Sequence, residues 1–348
     1  FQSGRTDPLS GTPGIFGGGE SKTVKRANMV LHKIIMQLLH FVIVLLGISF
    51  LTFSILFLSP RNPAELWLAG SDGNVGMISE EAIAEQERIM GLDKPFLVQY
   101  GTWLGKALQG NFGISFTYNT PVTEEIAKHM GPTVWMTVIS LTVTILLAVP
   151  LGVLCAVYKD QLLDNVMRIF SFFGISLPSF LTSIIFLWFF CIKMEWLPVI
   201  SKGGAIGILL PSVVLILQFV AKLTRQVRAI ILEQLEQPYV DGAITRGVKF
   251  KNILFGHVLK NSAAPILTCI SIYVGLAFGG SAVIEGIFSV DGLGRMAVSS
   301  VARLDIYVIQ GFVLWVAIVY LVVNLLVDIL SAMIDPRIKY NRKSGGGS

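Results

Sequence analysis

The chain has 348 residues, of which 53% are hydrophobic and only 14% charged, with a formal net charge of +5. A soluble domain carries roughly 25% charged residues, so this composition excludes a soluble globular protein and predicts an all-α polytopic membrane protein with no nucleic-acid partner. Three cysteines at 155, 191 and 269 sit in or beside apolar stretches without CxxC spacing and read as small core residues.

Residues 1–21 are rich in Gly, Pro and Ser without periodicity and read as a tag-like disordered leader, as Ser344–Ser348 reads as a linker. Residues 22–58 hold a basic start (Lys22, Lys25, Arg26, Lys33) and the first of six uncharged apolar stretches, at 34–58. As a helix it would extend about 37 Å. That is too long for a signal-peptide core, and no small-residue cleavage site follows, so it is predicted as a retained span. The other five, at 133–157, 169–192, 204–221, 264–284 and 306–327, lie within a core of 132–335, and each can supply the roughly 20 apolar residues that cross hydrocarbon. His40 falls inside the first span, where it reads as a packed, hydrogen-bonded histidine or, less simply, as a metal relay; the four histidines form no HExxH.

The 59–131 segment has five basic and nine acidic residues and the aromatics Trp67, Phe96, Tyr100, Trp103, Phe112, Phe116 and Tyr118. A disordered linker lacks so many aromatics. Ser79 before Glu80–Met90 predicts a capped short helix, and Pro95–Leu108 a second, with Phe96, Tyr100, Trp103 and Leu104 on one face. Two readings stand: a small folded extracytoplasmic cap, or an aromatic belt at the headgroup level. Lys159 and Arg168 lie between the second and third spans, and Arg337, Lys339, Arg342 and Lys343 lie in the tail, 336–348. With the basic start and the insert described next, they place both termini in the cytoplasm by the positive-inside rule.

The insert 222–263 carries seven basic and three acidic residues. Leu223–Leu235 has helical character and extends the fourth span. Pro238 breaks that helix, Asp241 is expected to cap a short one, and Gly247 to end it in a left-handed conformation. A short helix on the cytoplasmic face suits a docking partner, whereas charge alone would equally hold the loop to anionic lipid. In the fifth span, Gly275, Gly279, Gly280 and Ser281 make a small-residue face that fits either a partner-facing, path-lining helix or ordinary internal packing. Glu285 and Asp328, near span ends, are expected as cap or salt-bridge residues or as substrate contacts.

The spacing Asp241-Gly-Ala243, then Gly247, then His257-x-Leu259 resembles the Glu-Ala-Ala signature of ABC-importer permeases. Asp241 stands in the Glu place, Ala243 in that of the second Ala, Gly247 in that of the Gly and Leu259 in that of the Leu. His257-x-Leu259-Lys260-Asn261 with Pro265 is similar to the version found in the peptide/nickel branch. Gly91–Tyr100, Trp103-Leu104 and Asn111–Ser115 resemble the cap of that branch's first, B-type, permease subunit. Ile284–Arg295 resembles its loop after the fifth span, with Asp291 where Pro is usual, and Asn324–Asp328 with Ile334–Ile338 its C-terminal end.

The resemblance implies a type I ABC importer permease fold of six transmembrane helices with a small cap, in the inner or plasma membrane of a bacterium or archaeon. It implies an ATPase-coupling set of Tyr239, Asp241, Ala243, Arg246, Gly247 and Leu259, and a path or dimer face of Gly275, Gly279, Gly280 and Ser281. The partners it implies are a homologous second permease, two ATPase subunits, an extracytoplasmic substrate-binding protein and membrane lipid. The chain carries no P-loop, catalytic triad or GxSxG elbow, so no catalytic residue, metal site or cofactor of its own is expected, and ATP and Mg belong to the partner subunits. The expected function is alternating-access import of nickel, as ion or chelate, or of small peptides. The Val98–Leu104 run and the short 193–206 loop lean towards nickel. The alternative class is an ATP-independent secondary transporter or channel, which would show broken helices or acidic relays at the midplane.

Overall fold

A computed structural model describes residues 22–58, 62–69, 78–199 and 204–334. The tag-like leader and the 336–348 tail lie outside the described residues. The chain divides into two units, Phe1–Val44 and Leu45–Ser348. The described part of the first is the N-terminal portion of helix α1 (Lys22–Phe57), on which Ile35, Met36, Leu39, Val42 and Ile43 are exposed, as suits a lipid-facing surface.

The second unit opens with the C-terminal end of α1 and a group of short helices, α2 (Pro63–Ala69), α3 (Glu80–Met90) and α4 (Phe96–Ala107). The Ser79 hydroxyl accepts the Ala82 N–H at 3.3 Å as the N-cap of α3, and Gly91 ends it at φ 73°. Phe96, Tyr100 and Trp103 of α4 meet Phe50 and Phe53 of α1 ring to ring, and Ser49 bonds the Tyr100 hydroxyl at 2.8 Å. These aromatics therefore pack into a folded cap, the first of the two readings.

The long helices are α5 (Val122–Val157), α8 (Gly204–Leu235), α11 (Leu259–Ile287) and α13 (Ile306–Ile334). The second span thus begins at Val122, within the segment read as cap loop, and the fourth runs unbroken through Leu235. With α1, and with α11 lengthened by the turns before it, five continuous stretches among the described residues are long and apolar enough to cross a membrane. A sixth exists only if one bent pair counts as a single span.

That pair corrects the third predicted span. In place of one helix over 169–192, α6 runs Leu162–Ser176 and α7 runs Ser179–Phe186, continuing as a π turn through Leu187–Lys193, with a 100° bend between them. Pro178 has no N–H to continue the ladder, and its ring forces Leu177 out of the helical region. Leu177 accordingly sits at φ −80°, ψ 121°.

Small residues govern the packing. The buried stripe of α5 is Thr133, Thr137, Ser140, Thr144, Ala148, Gly152 and Cys155, while Trp135, Leu146, Leu147 and Leu154 point outward. A Cβ on Gly152 would lie 2.7 Å from Val227 Cβ and 2.9 Å from the Thr224 carbonyl of α8. Lipid offers no hydrophobic reason for two helices to associate, so close backbone approach supplies the dispersion contacts instead. We expect Gly152→Leu to lower stability by about 1–3 kcal/mol through overpacking, read as a lower thermal unfolding temperature in detergent. Gly131→Ala, where nothing lies within 4 Å of the added carbon, is expected to leave it unchanged or raise it.

Candidate functional site

The segment after α8 is built from backbone rules. Gln237 is extended at φ −77°, ψ 143° because Pro238 follows, and Pro238 opens helix α9 (Pro238–Thr245), where its missing N–H costs nothing. This corrects the expected cap: Asp241 lies inside the first turn of α9, while Gln237 holds the N-cap place without a side-chain bond. The C-terminus forms a Schellman motif, in which the Val248 N–H reaches the Ala243 carbonyl at 3.1 Å and the Gly247 N–H the Ile244 carbonyl at 2.8 Å. Gly247 takes φ 77°, the left-handed conformation expected of it.

The chain then enters α10 (Phe250–Ile253), a π turn (Leu254–Val258) and α11. Val240 and Ala243 of α9 are buried in the same core cluster as Leu223, Val227 and Ile231 of α8 and Ile253, Leu254 and Val258 beyond. The outward side is different. Asp241, Gly242, Thr245, Arg246 and Gly247 are exposed, and so are Ile244, Val248, Phe250 and Phe255. The exposed side of this segment therefore carries apolar side chains interspersed with Arg246, Lys249 and Lys251, while its inner side is packed in the core. Five of the six predicted coupling residues stand on α9 or its C-terminal end: Tyr239, Asp241, Ala243, Arg246 and Gly247. Tyr239, half-buried, donates its hydroxyl to Gln234 Oε1 at 3.2 Å. Leu259 begins α11 and packs on the same core.

The predicted path face divides. A Cβ on Gly275 would lie 2.8 Å from the Tyr320 ring of α13, so this glycine serves internal packing. Gly279 and Gly280 have nothing within 4 Å and lie exposed with Leu276 and Val283, whereas Ser281 is buried and donates to the Phe278 carbonyl at 3.3 Å.

At the opposite end of α11, two buried acids act as caps. Glu285 accepts the Thr133 hydroxyl at 2.8 Å and the Arg295 N–H at 2.9 Å, and Thr133 in turn accepts the Leu293 N–H at 2.8 Å. Together they satisfy the first turn of helix α12 (Leu293–Ala302), which lies between the last two spans. Gly292 is required there, since a Cβ would lie 2.6 Å from Glu285 Oε2. Asp305 accepts the Ser115 hydroxyl at 2.5 Å and the Thr117 N–H at 2.9 Å, which joins the 113–121 turn to the start of α13.

A family model described as the binding-protein-dependent transport system inner membrane component matches residues 148–340, and the model of that family's N-terminal part matches 30–142. This chain belongs to that family. It is an ABC-importer permease of the peptide/nickel branch, a multi-pass membrane component. A protein of Brucella suis biovar 1 named as a peptide permease is 34% identical over 309 residues, covering 85% of this chain and 95% of that relative. The glutathione transport system permease protein GsiC of Escherichia coli K12 is 32% identical over 311 residues, 89% of this chain and 100% of that one. The methionine ABC transporter MetNI, in an inward-facing conformation, aligns at a TM-score of 0.49 with 16% identity, over 60% of this chain and 96% of that chain.

In this permease the sequence groups the predicted coupling residues on one segment, but it gives no sign of the hydrogen-bonded role of Thr133 and Asp305 or of the ion pair of Asp164 with Arg228. Glu285, an acid near a span end for which the sequence leaves a cap, salt-bridge or substrate role open, is a cap in the structure. The remaining signal was faint: Thr133 is one of several small polar residues in an apolar run, and its partners stand more than 150 positions away. Thr133→Val leaves the Leu293 N–H unsatisfied and takes a donor from Glu285, so we expect a loss of about 1–3 kcal/mol. Thr137→Val, which removes a buried hydroxyl without a hydrogen-bond partner, is expected to be neutral or stabilising. Thermal unfolding of both variants in the same detergent checks the contrast.

Proposed function

We propose that this permease is one half of the membrane pathway of an ATP-driven peptide importer in a bacterial or archaeal plasma membrane. It pairs with a second homologous permease, is driven by two ATPase subunits that hold ATP and Mg, and receives cargo from an extracytoplasmic binding protein. The chain itself hydrolyses nothing. Both termini lie on the cytoplasmic side, with the basic loops. The coupling set is Tyr239, Asp241, Ala243, Arg246, Gly247 and Leu259, and the open Gly279–Gly280 face of α11 is the surface offered to the second permease or the path.

One observation carries the reading. α9 is pinned from beneath by Val240 and Ala243, while its outer side offers Ile244, Val248, Phe250 and Phe255 among cations. A knob fixed to the spans and apolar towards the cytoplasm transmits a rigid displacement, which is what alternating access driven from outside the membrane needs. Relatives named for peptides and glutathione support a short peptide as cargo. Nickel gains no such support from them. The break at Leu177–Pro178 is of the kind a secondary transporter uses, but family membership and the docking surface favour the ATP-driven class.

Gly247 provides the test. Its φ of 77° and the empty space around it mean that Gly247→Ala adds backbone strain alone, about 1–2 kcal/mol, whereas Gly247→Trp also projects bulk into a partner. We expect Gly247→Trp to abolish ATPase co-purification and uptake of a labelled dipeptide, with Gly247→Ala retaining both in large part. Retention of both by the Trp variant would end the coupling proposal. Uptake of labelled nickel in place of the dipeptide would end the cargo assignment.

A further inference from the structure

The cytoplasmic half of α8 is joined to α6 at successive levels. Gln218 donates to the Leu177 carbonyl at 3.4 Å, at the break itself. One turn on, a Cβ on Gly174 would lie 2.5 Å from Ala221 Cβ, so the two backbones approach as closely as glycine permits. Further along stands Asp164, in the first turn of α6 and 1% exposed. Arg228 of α8 grips both its oxygens, Nε to Oδ1 at 2.6 Å and Nη2 to Oδ2 at 2.7 Å. Arg168 Nη2 adds a contact to Oδ2 at 3.0 Å and the Asp160 N–H another at 2.9 Å. Asp160 is itself held at φ 62°, so the α5–α6 turn is shaped around this carboxylate. Last, Lys159 meets Glu236 at 3.9 Å, an exposed pair that contributes little. Gly152 meanwhile presses α5 against Thr224 and Val227 on the same stretch of α8.

None of this belongs to the docking surface, and a buried carboxylate with four side-chain and backbone donors is more than a loop needs for solubility. A planar guanidinium on a carboxylate fixes orientation as well as distance. Removing one partner strands a buried charge, whereas replacing both by neutral groups of similar size is often tolerated. We propose that Asp164 is a positioning residue of the transport cycle. Through Arg228 it makes the α5–α6 turn, α6 and the cytoplasmic half of α8 a single arm, so that a displacement delivered at α9 swings α6 as far as the bend at Leu177–Pro178. The inference rests on the coupling role proposed for α9.

The test uses the full transporter reconstituted with its ATPases and binding protein. Asp164→Asn/Arg228→Met removes the clamp without stranding a charge. The double variant is expected to assemble with the ATPases and to hydrolyse ATP at close to the wild-type rate. Dipeptide imported per ATP hydrolysed is expected to fall about tenfold, within the range seen when coupling residues are changed. Arg228→Lys, which keeps the charge but loses the planar grip, is expected to fall between. An unchanged import-to-hydrolysis ratio in the double variant overturns the proposal. So does failure of that variant to insert or assemble, because the pair is then a folding element. The wild-type complex separates this from the reading beneath it: if the ATPases do not engage α9 at all, the Gly247→Trp comparison fails whatever Asp164 does.

Discussion

The close approach of α5 and α8 is the contact on which the other elements depend. In water, burial of large apolar side chains drives helices together, but in hydrocarbon that drive is absent and small residues take its place. α5 presents Thr133, Thr137, Ser140, Thr144, Ala148 and Gly152 inward. α8 answers with Thr224 and Val227 at Gly152. Ser140 adds a bond to the Ser212 carbonyl at 3.3 Å, next to Pro211, where the helix ladder is already perturbed. α6 lies along the far half of α8, and α9 hangs from its end.

The two ends of this framework are secured by different chemistry. At the end that carries the cap, buried carboxylates accept hydroxyls and backbone N–H groups: Glu285 for α12, and Asp305 for the 113–121 turn. Burying a charge is costly unless donors surround it, and helix N-termini supply donors together with a favourable dipole. His129 belongs to the same region, with Nδ1 at 2.8 Å from the Glu125 carbonyl and Nε2 at 3.3 Å from Asp291. At the other end the fixing is ionic at Asp164 and apolar beneath α9.

Irregular backbone falls at a few defined places along the helices. The bend at Leu177–Pro178 and the π turns over Leu187–Lys193 and Leu254–Val258 interrupt otherwise regular ladders. π turns recur at functional positions, and one of these directly follows α10, which opens at the exposed Phe250, and leads into α11. On the proposed role, rigid lengths joined at such points allow a push at α9 to become a reorientation of spans without melting any of them.

The amino-acid sequence by itself determined that the protein spans a membrane, where five of its spans lie, and that α9 ends at Gly247. Uncharged runs, Pro238 and the left-handed glycine act through local chemistry that needs no partner. It also held the family, because Asp241, Ala243, Gly247 and Leu259 keep a fixed spacing. Only the tertiary structure decided that the third span is two helices, since an apolar run around Pro178 reads alike whether straight or bent. It alone showed that Gly275 packs on Tyr320 while Gly279 stays open, and that Asp164 belongs to Arg228, 64 positions away. Hydropathy and spacing record what each residue is and how far along the chain it stands. Which face meets which neighbour depends on how helices distant in sequence cross, and that is settled by packing.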